Sequence, residues 1–457
     1  MKTTYLILFL CLIVSFCYGQ NSYNFYVDDS LKKVSYAKEV DDLRDLKMKS
    51  FEKKYIKDYK DIYSESFTSI KKLILSKETV TDTAINNYLQ SIVQEIIQKN
   101  KELSSLKLRV FFTRNLWANA YSMGDGTIAI NAGIVCYLKN EAELAFILSH
   151  ELAHYYLDHS GKAIEKYVIT VNSEDYQKKL KAISKREYGT NKELDLLVKE
   201  VVFDSRKHSR KHESEADYYA FKFLRNTFFN LNAAVSALET LDKISDTTFF
   251  SPLKLEIAFN NEAYPFKKSW IEEESSIFSE VNTKKDTSNK KETDSLKTHP
   301  DCKKRIALLK DSVIKFEKNS KSYFITNQTN FNKIKEKFLI EAIEYCYTKH
   351  NLSENLYYAL SLLQEQKEKP FAVYSIARCL NIIYEKQKNH HLGESIDDEN
   401  RSFDKDYNLL LKMLSKLRLE EIVEINYHFC KANLSTGLLY KNFEKEWKTA
   451  QLNYTNN

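Results

Sequence analysis

Glycine and proline are scarce in this chain, with 8 and 4 of them in 457 residues. So few turn-makers and breakers, beside abundant Leu, Ile, Lys and Glu, argue for a mostly helical protein. Long apolar runs are also missing. Beyond residue 16 no stretch approaches the roughly 20 apolar residues that a membrane-spanning helix needs, which argues against a multi-span membrane protein. There is no large charge excess either. A formal charge of +6 is small for this length and gives no reason to expect a nucleic-acid partner. Short Lys pairs such as Lys284-Lys285 and Lys290-Lys291 read as solvated surface. The cysteines beyond the N-terminal segment (Cys136, Cys302, Cys346, Cys379 and Cys430) are odd in number, widely spaced and without a C-x-x-C pair. That excludes a disulfide scaffold and shows no C-x-x-C metal spacing; buried free thiols are expected, with one or two bridges in the C-terminal part as the alternative in an oxidising compartment.

What is present begins with a secretory-type start. Met1-Lys2, a largely apolar run from Tyr5 to Phe16, and Gly19 before Gln20 read as a signal peptide over residues 1–19. The run is short for a membrane span, and cleavage after Gly19 is expected, with an uncleaved N-terminal anchor as the alternative. An exported protein is expected, periplasmic, envelope-associated or secreted, without an integral membrane span once the signal is removed.

The most informative stretch is His150-Glu151-Leu152-Ala153-His154. Residues i and i+4 share a helical face, so both imidazoles can address one metal ion. Glu151 lies about 100° around the helix, near enough to contact a metal-bound water without being a ligand. Upstream, Asn140 and Glu143 have the form of a capping box, and Leu144, Ala145, Ile147, Leu148 and Leu152 give an apolar stripe. Histidines in such surroundings are costly unless partnered.

A catalytic zinc takes three protein ligands, and the sequence offers more than one third ligand. The metzincin spacing fails, because Leu157 and Ser160 occupy its Gly and His positions. Glu174 sits at a thermolysin-like spacing, in the partially matching context Asn172-Ser173-Glu174-Asp175. Glu213 and Asp217, another i, i+4 pair, lie in Arg210-Lys211-His212-Glu213-Ser214-Glu215-Ala216-Asp217. Glu213 could complete a His2Glu site, with Asp217 accepting a hydrogen bond from a ligand imidazole and the small Ala216 letting two helices approach. Taken alone, these acids also read as an acidic helix face.

Four blocks in order resemble the HtpX-like zinc metallopeptidases, the family that includes the CAAX prenyl proteases and the soluble, exported BepA-type enzymes. They are the stretch Asn119 to Gly133, His150 to His154, Arg210 to Asp217, and Thr298-His299-Pro300-Asp301 with Arg305-Ile306 and Leu309. The resemblance implies one Zn²⁺ per chain on His150, His154 and Glu213, with Glu151 as the catalytic base and Asp217 behind a ligand. His299 becomes a candidate to help hold the oxyanion. Neither His159 nor His212 is needed as a ligand in this scheme. Gly124 and Gly126 mark a turn between short strands at 118–123 and 127–131, and such an edge strand beside the zinc helix suits an extended substrate.

The expected fold is mostly α (α+β): a zincin-like peptidase domain over 20–325, with a small sheet or hairpin beside the zinc helix. It includes a helix from Asp82 to Lys99, a strand at 106–113, flanking helices over 160–208 and a polar mobile loop at 271–297. An all-α domain over 326–457 follows, either a bundle or a tetratricopeptide-like array in which 353–366 pairs with 370–388. The expected activity is zinc-dependent endoproteolysis of unfolded or extended proteins, in envelope quality control or processing. Protein partners would dock on the C-terminal helices. The competing expectation is a latent or inactive chaperone or scaffold built on the same fold; retention of Glu151 argues against a purely structural zinc.

Overall fold

A computed structural model describes residues 25, 27–50, 54–184, 210–244, 251–272, 302–316, 322–400 and 403–456. The expected signal at 1–19, most of the 271–297 stretch, residues 185–208 and His299 lie outside the described residues. Two compact units emerge. One contains the described parts of Tyr26–Ser245 and Lys285–Leu339, the other Phe25 and the described parts of Asp246–Lys284 and Ile340–Asn457. The sequence reading puts the division at 325/326. The contacts put it after Leu339, within the helix Gln328–Thr348, and group 246–284 with the C-terminal helices.

Glu141 supplies part of the reason. Although charged, it is fully buried, and it accepts bonds from Tyr88 Oη (2.9 Å) and from the backbone N–H groups of Ile325, Thr326 and Asn327 (2.8, 2.9 and 2.9 Å). Lys337 Nζ pairs with Asp82 Oδ2 at 2.8 Å nearby. Residues 325–337 are thus bonded into the first unit. Glu141→Ala should lower its stability by about 3 kcal/mol, since the buried Tyr88 hydroxyl and three backbone N–H groups lose one charged acceptor. Denaturant unfolding of the full chain measures it.

The first unit holds a four-stranded sheet, in the order β1-β2-β4-β3, of β1 (Thr79–Val80), β2 (Arg109–Thr113), β3 (Ala120–Ser122) and β4 (Thr127–Asn131). β2 and β4 run parallel, from Arg109↔Thr127 to Thr113↔Asn131, and every residue of both is buried, as befits strands covered on two faces. The sequence reading of a hairpin holds for β3 and β4, which pair antiparallel with Tyr121 opposite Ala129. The helix Thr83–Lys99, capped by Asp82, packs on β2, and the helix Glu141–Tyr156 packs on β3.

The β3–β4 turn is fixed from two sides. Gly124 and Gly126 have φ of 82° and 88°, and a Cβ on Gly126 would lie 2.2 Å from Lys107 O. Buried Arg109 donates from Nη2 to both Asp125 O and Asp125 Oδ2 (2.6 Å each), and from Nε to Thr127 Oγ1 (3.1 Å).

The second unit is helical, with Leu352–Gln364, Lys369–Lys388, Lys405–Lys416, Leu419–Ala432 and Phe443–Asn456 as its main elements. The 353–366 and 370–388 pair forms as the sequence suggests, with Asn351 capping the first helix. Lys369–Lys388 packs against the helices Leu352–Gln364, Leu419–Ala432 and Phe443–Asn456. Inside, Arg378 clamps Glu344 with two bonds, at 2.6 and 3.1 Å. All five described cysteines are buried.

Candidate active site

The helix Glu141–Tyr156 carries the first motif. Asn140 Oδ1 accepts from Glu143 N at 3.0 Å, as a cap should. The reciprocal half differs from expectation: Glu143 Oε2 reaches Lys139 N at 2.8 Å, while Oε1 accepts from Ser236 Oγ at 2.6 Å. The helix is buried on every side from Glu141 to Ala153, where the sequence suggested a stripe. His150 and Glu151 are therefore interior residues, and His154 is partly open.

The second motif lies on a helix whose described residues are 210–226. Ala216 is fully buried there, in keeping with a close approach of the two helices. His150 Nε2 lies 3.1 Å from His154 Nε2 and 3.5 Å from Glu213 Oε2, and His154 Nε2 lies 3.4 Å from Glu213 Oε1. These three residues form one group of candidate metal donors. Tetrahedral bonds of about 2.0–2.1 Å place ligand atoms about 3.3–3.4 Å apart, and the three separations straddle that figure. The donor set fits such an ion.

Behind the donors, Asp217 Oδ1 lies 3.0 Å from His150 Nδ1. Arg305, on the helix Cys302–Phe316, grips Asp217 with two bonds, Nε to Oδ2 at 2.5 Å and Nη2 to Oδ1 at 2.7 Å. Its Nη1 lies 3.0 Å from Glu213 Oε2. The sequence reading carried Arg305 only as part of a resembling block; the structure makes it the brace of both acids. Burial would raise the Asp217 carboxyl, but the bonds from Arg305 and His150 hold it below the usual range. Burial would likewise lower the His150 imidazole, but Asp217 and Glu213 carry it up to about 10. Without a metal, two carboxylates draw a proton onto that ring, so the pocket favours a cation.

Glu174 is placed elsewhere. It starts the helix Glu174–Ser184, its side chain is 90% exposed, and it pairs with Lys178 at 3.4 Å. His159 and Glu215, which sequence reasoning left aside, come together on the far side of His154.

A family model described as peptidase family M48 matches residues 83–313, half of the chain. The sequence is similar to a putative beta-barrel assembly-enhancing protease of Vibrio cholerae, at 22% identity over 38% of this chain and 35% of the relative. It is similar to the metalloprotease YcaL of Escherichia coli, at 24% over 33% and 56%, respectively. It also resembles the mitochondrial metalloendopeptidase OMA1 of Schizosaccharomyces pombe, at 29% over 34% and 43%. The matched part thus spans between about a third and just over half of these relatives' lengths.

Proposed function

The chain belongs to peptidase family M48, and from that premise we propose that it is an exported, zinc-dependent endopeptidase acting on unfolded or extended proteins. The observation that carries this reading is the triad of His150, His154 and Glu213, with donor atoms 3.1–3.5 Å apart and Glu151 buried on the same helix as the two histidines. A zinc ion on these three residues would supply a Lewis acid that lowers the pKa of a water towards roughly 7 and polarises the scissile carbonyl.

The rest falls to the chain's own residues. Glu151 takes the proton from the attacking water and returns it to the departing amine nitrogen. Asp217, gripped by Arg305, keeps the proton of His150 on Nδ1 and leaves Nε2 free to ligate. β3 is an edge of the described sheet and lies against the motif helix, so an extended peptide can add to it through main-chain bonds with little sequence preference. His299 is proposed to help hold the oxyanion, on its Thr-His-Pro context alone.

Export rests on the signal-like residues 1–19, and no described helix is long and apolar enough to cross a membrane. The Vibrio cholerae relative's name, a beta-barrel assembly-enhancing protease, supports a role in envelope protein quality control or processing, with the C-terminal helices docking partners.

Reduced casein incubated with the mature chain tests the activity. A strong chelator should abolish cleavage, and Zn²⁺ should restore it after the chelator is removed. Cleavage that persists in the metal-stripped protein would overturn the proposal.

A further inference from the structure

His150 has a carboxylate behind it, whereas His154 has a second imidazole. His154 Nδ1 lies 2.9 Å from His159 Nδ1, and His159 Nε2 lies 3.3 Å from Glu215 Oε2. His159 is buried, although it follows the end of the motif helix. Asp158 turns the chain back with φ at 51° and caps the next helix, its Oδ1 accepting from Gly161 N at 3.2 Å. The His212 ring lies flat on His159, centroids 4.1 Å apart and planes 9° from parallel, which restrains the orientation of the buried ring.

We infer that His159 and Glu215 are positioning residues, a two-step relay that holds His154 in the tautomer able to bind metal. The inference rests on the metal site proposed above. A ligating nitrogen must present its lone pair, so His154, with Nε2 among the donors, carries its proton on Nδ1. That N–H donates to His159 Nδ1. His159 Nδ1 is then bare, and its own proton sits on Nε2, facing the Glu215 carboxylate. The bonds have one consistent direction, from His154 to His159 to Glu215. Run backwards, they would put a proton on His154 Nε2 and block the site. The relay does for His154 what Asp217 does for His150.

The same atoms suggest a rival. His159, His212 and Glu215 bring donor atoms within 4.8 Å of one another and could hold a second ion. Proton counting argues against it while the first ion is bound. An ion on His159 Nε2 would move that ring's proton to Nδ1, where it would meet the proton on His154 Nδ1 across a 2.9 Å gap. Both ions could stay only if one imidazole lost its last proton.

The test uses the full mature chain with Zn²⁺, reading zinc affinity and stoichiometry by chelator competition and imidazole protonation by ¹⁵N-histidine NMR. His159→Phe, which keeps a ring but removes the acceptor, should weaken zinc binding about 10- to 100-fold. Glu215→Ala should weaken it less. Glu215→Gln keeps an acceptor oxygen and should stay near the parent, whereas Glu215→Met, of similar size but without that oxygen, should weaken binding as Glu215→Ala does. In the zinc-loaded parent, His159 should carry its proton on Nε2 and His154 on Nδ1, a readout that needs no variant to fold. An unchanged affinity in His159→Phe, or a His159 protonated on Nδ1, would overturn the relay. Two bound zinc ions with His159 as a ligand would replace it with a second metal site. A parent that binds no zinc would overturn the metal site itself, and the relay with it.

Discussion

Glu151→Gln should reduce casein cleavage by about 10²- to 10⁴-fold, the usual worth of a positioned acid–base group, with zinc content unchanged. Gln keeps the size and the hydrogen-bonding oxygen of Glu but cannot accept and return a proton at neutral pH. Glu151 shares the helix with His150 and His154 and is 3% exposed, so the exchange removes a buried charge without opening a cavity. Folding should therefore be preserved, and thermal unfolding of the two proteins checks that separately. Zinc lost together with activity would make Glu151 part of the metal's support. Activity retained would remove it from the chemistry and weaken the case for hydrolysis at this site.

The parts of this site legible in the sequence are those whose geometry is local. Two histidines one turn apart, an Asn cap at residue 140 and the Gly-Asp-Gly turn at 124–126 obey rules that operate within four residues. The pairing of Glu213 with Asp217 was legible in the same way, but its nearness to His150 was suggested by resemblance rather than by spacing. Arg305 shows where local reading ends. Nothing near it marks a surface-type residue on a Lys-rich helix as the buried partner of Asp217, 88 positions earlier. Glu141 carries no local sign of its burial, yet it is fully buried and accepts from the N–H groups of 325–327. The place of His159 behind His154 is hidden from local reading for a different reason. Helical spacing does not connect residue 154 to residue 159; Asp158 in the left-handed region does, by folding the chain back at the helix end. The parallel pairing of β2 with β4 also depends on a crossover that no local pattern encodes.

Those long-range facts sharpen the remaining comparison, between the two glutamates that spacing alone offered as third ligand. Glu213→Ala should weaken zinc binding by more than the 10- to 100-fold typical of a ligand's outer partner, whereas Glu174→Ala should leave it unchanged. Glu213 is 4% exposed, with its oxygens 3.5 and 3.4 Å from the two imidazoles and a third contact to Arg305. Removing it deletes a donor and leaves the Arg305 guanidinium facing the site with one acid instead of two. That positive charge further disfavours a cation, so the loss should exceed that of a neutral vacancy. Glu213→Gln separates the two effects: it removes the same charge but keeps an oxygen donor, and should fall between Glu213→Ala and the parent. Glu174 has only Lys178 and solvent to lose, an exposed pair of little energetic weight. Competition with a chelator of known affinity ranks all four proteins. A larger loss in Glu174→Ala than in Glu213→Ala would move the third ligand to the thermolysin-like position and leave the Arg305–Asp217–Glu213 cluster as a structural ion pair.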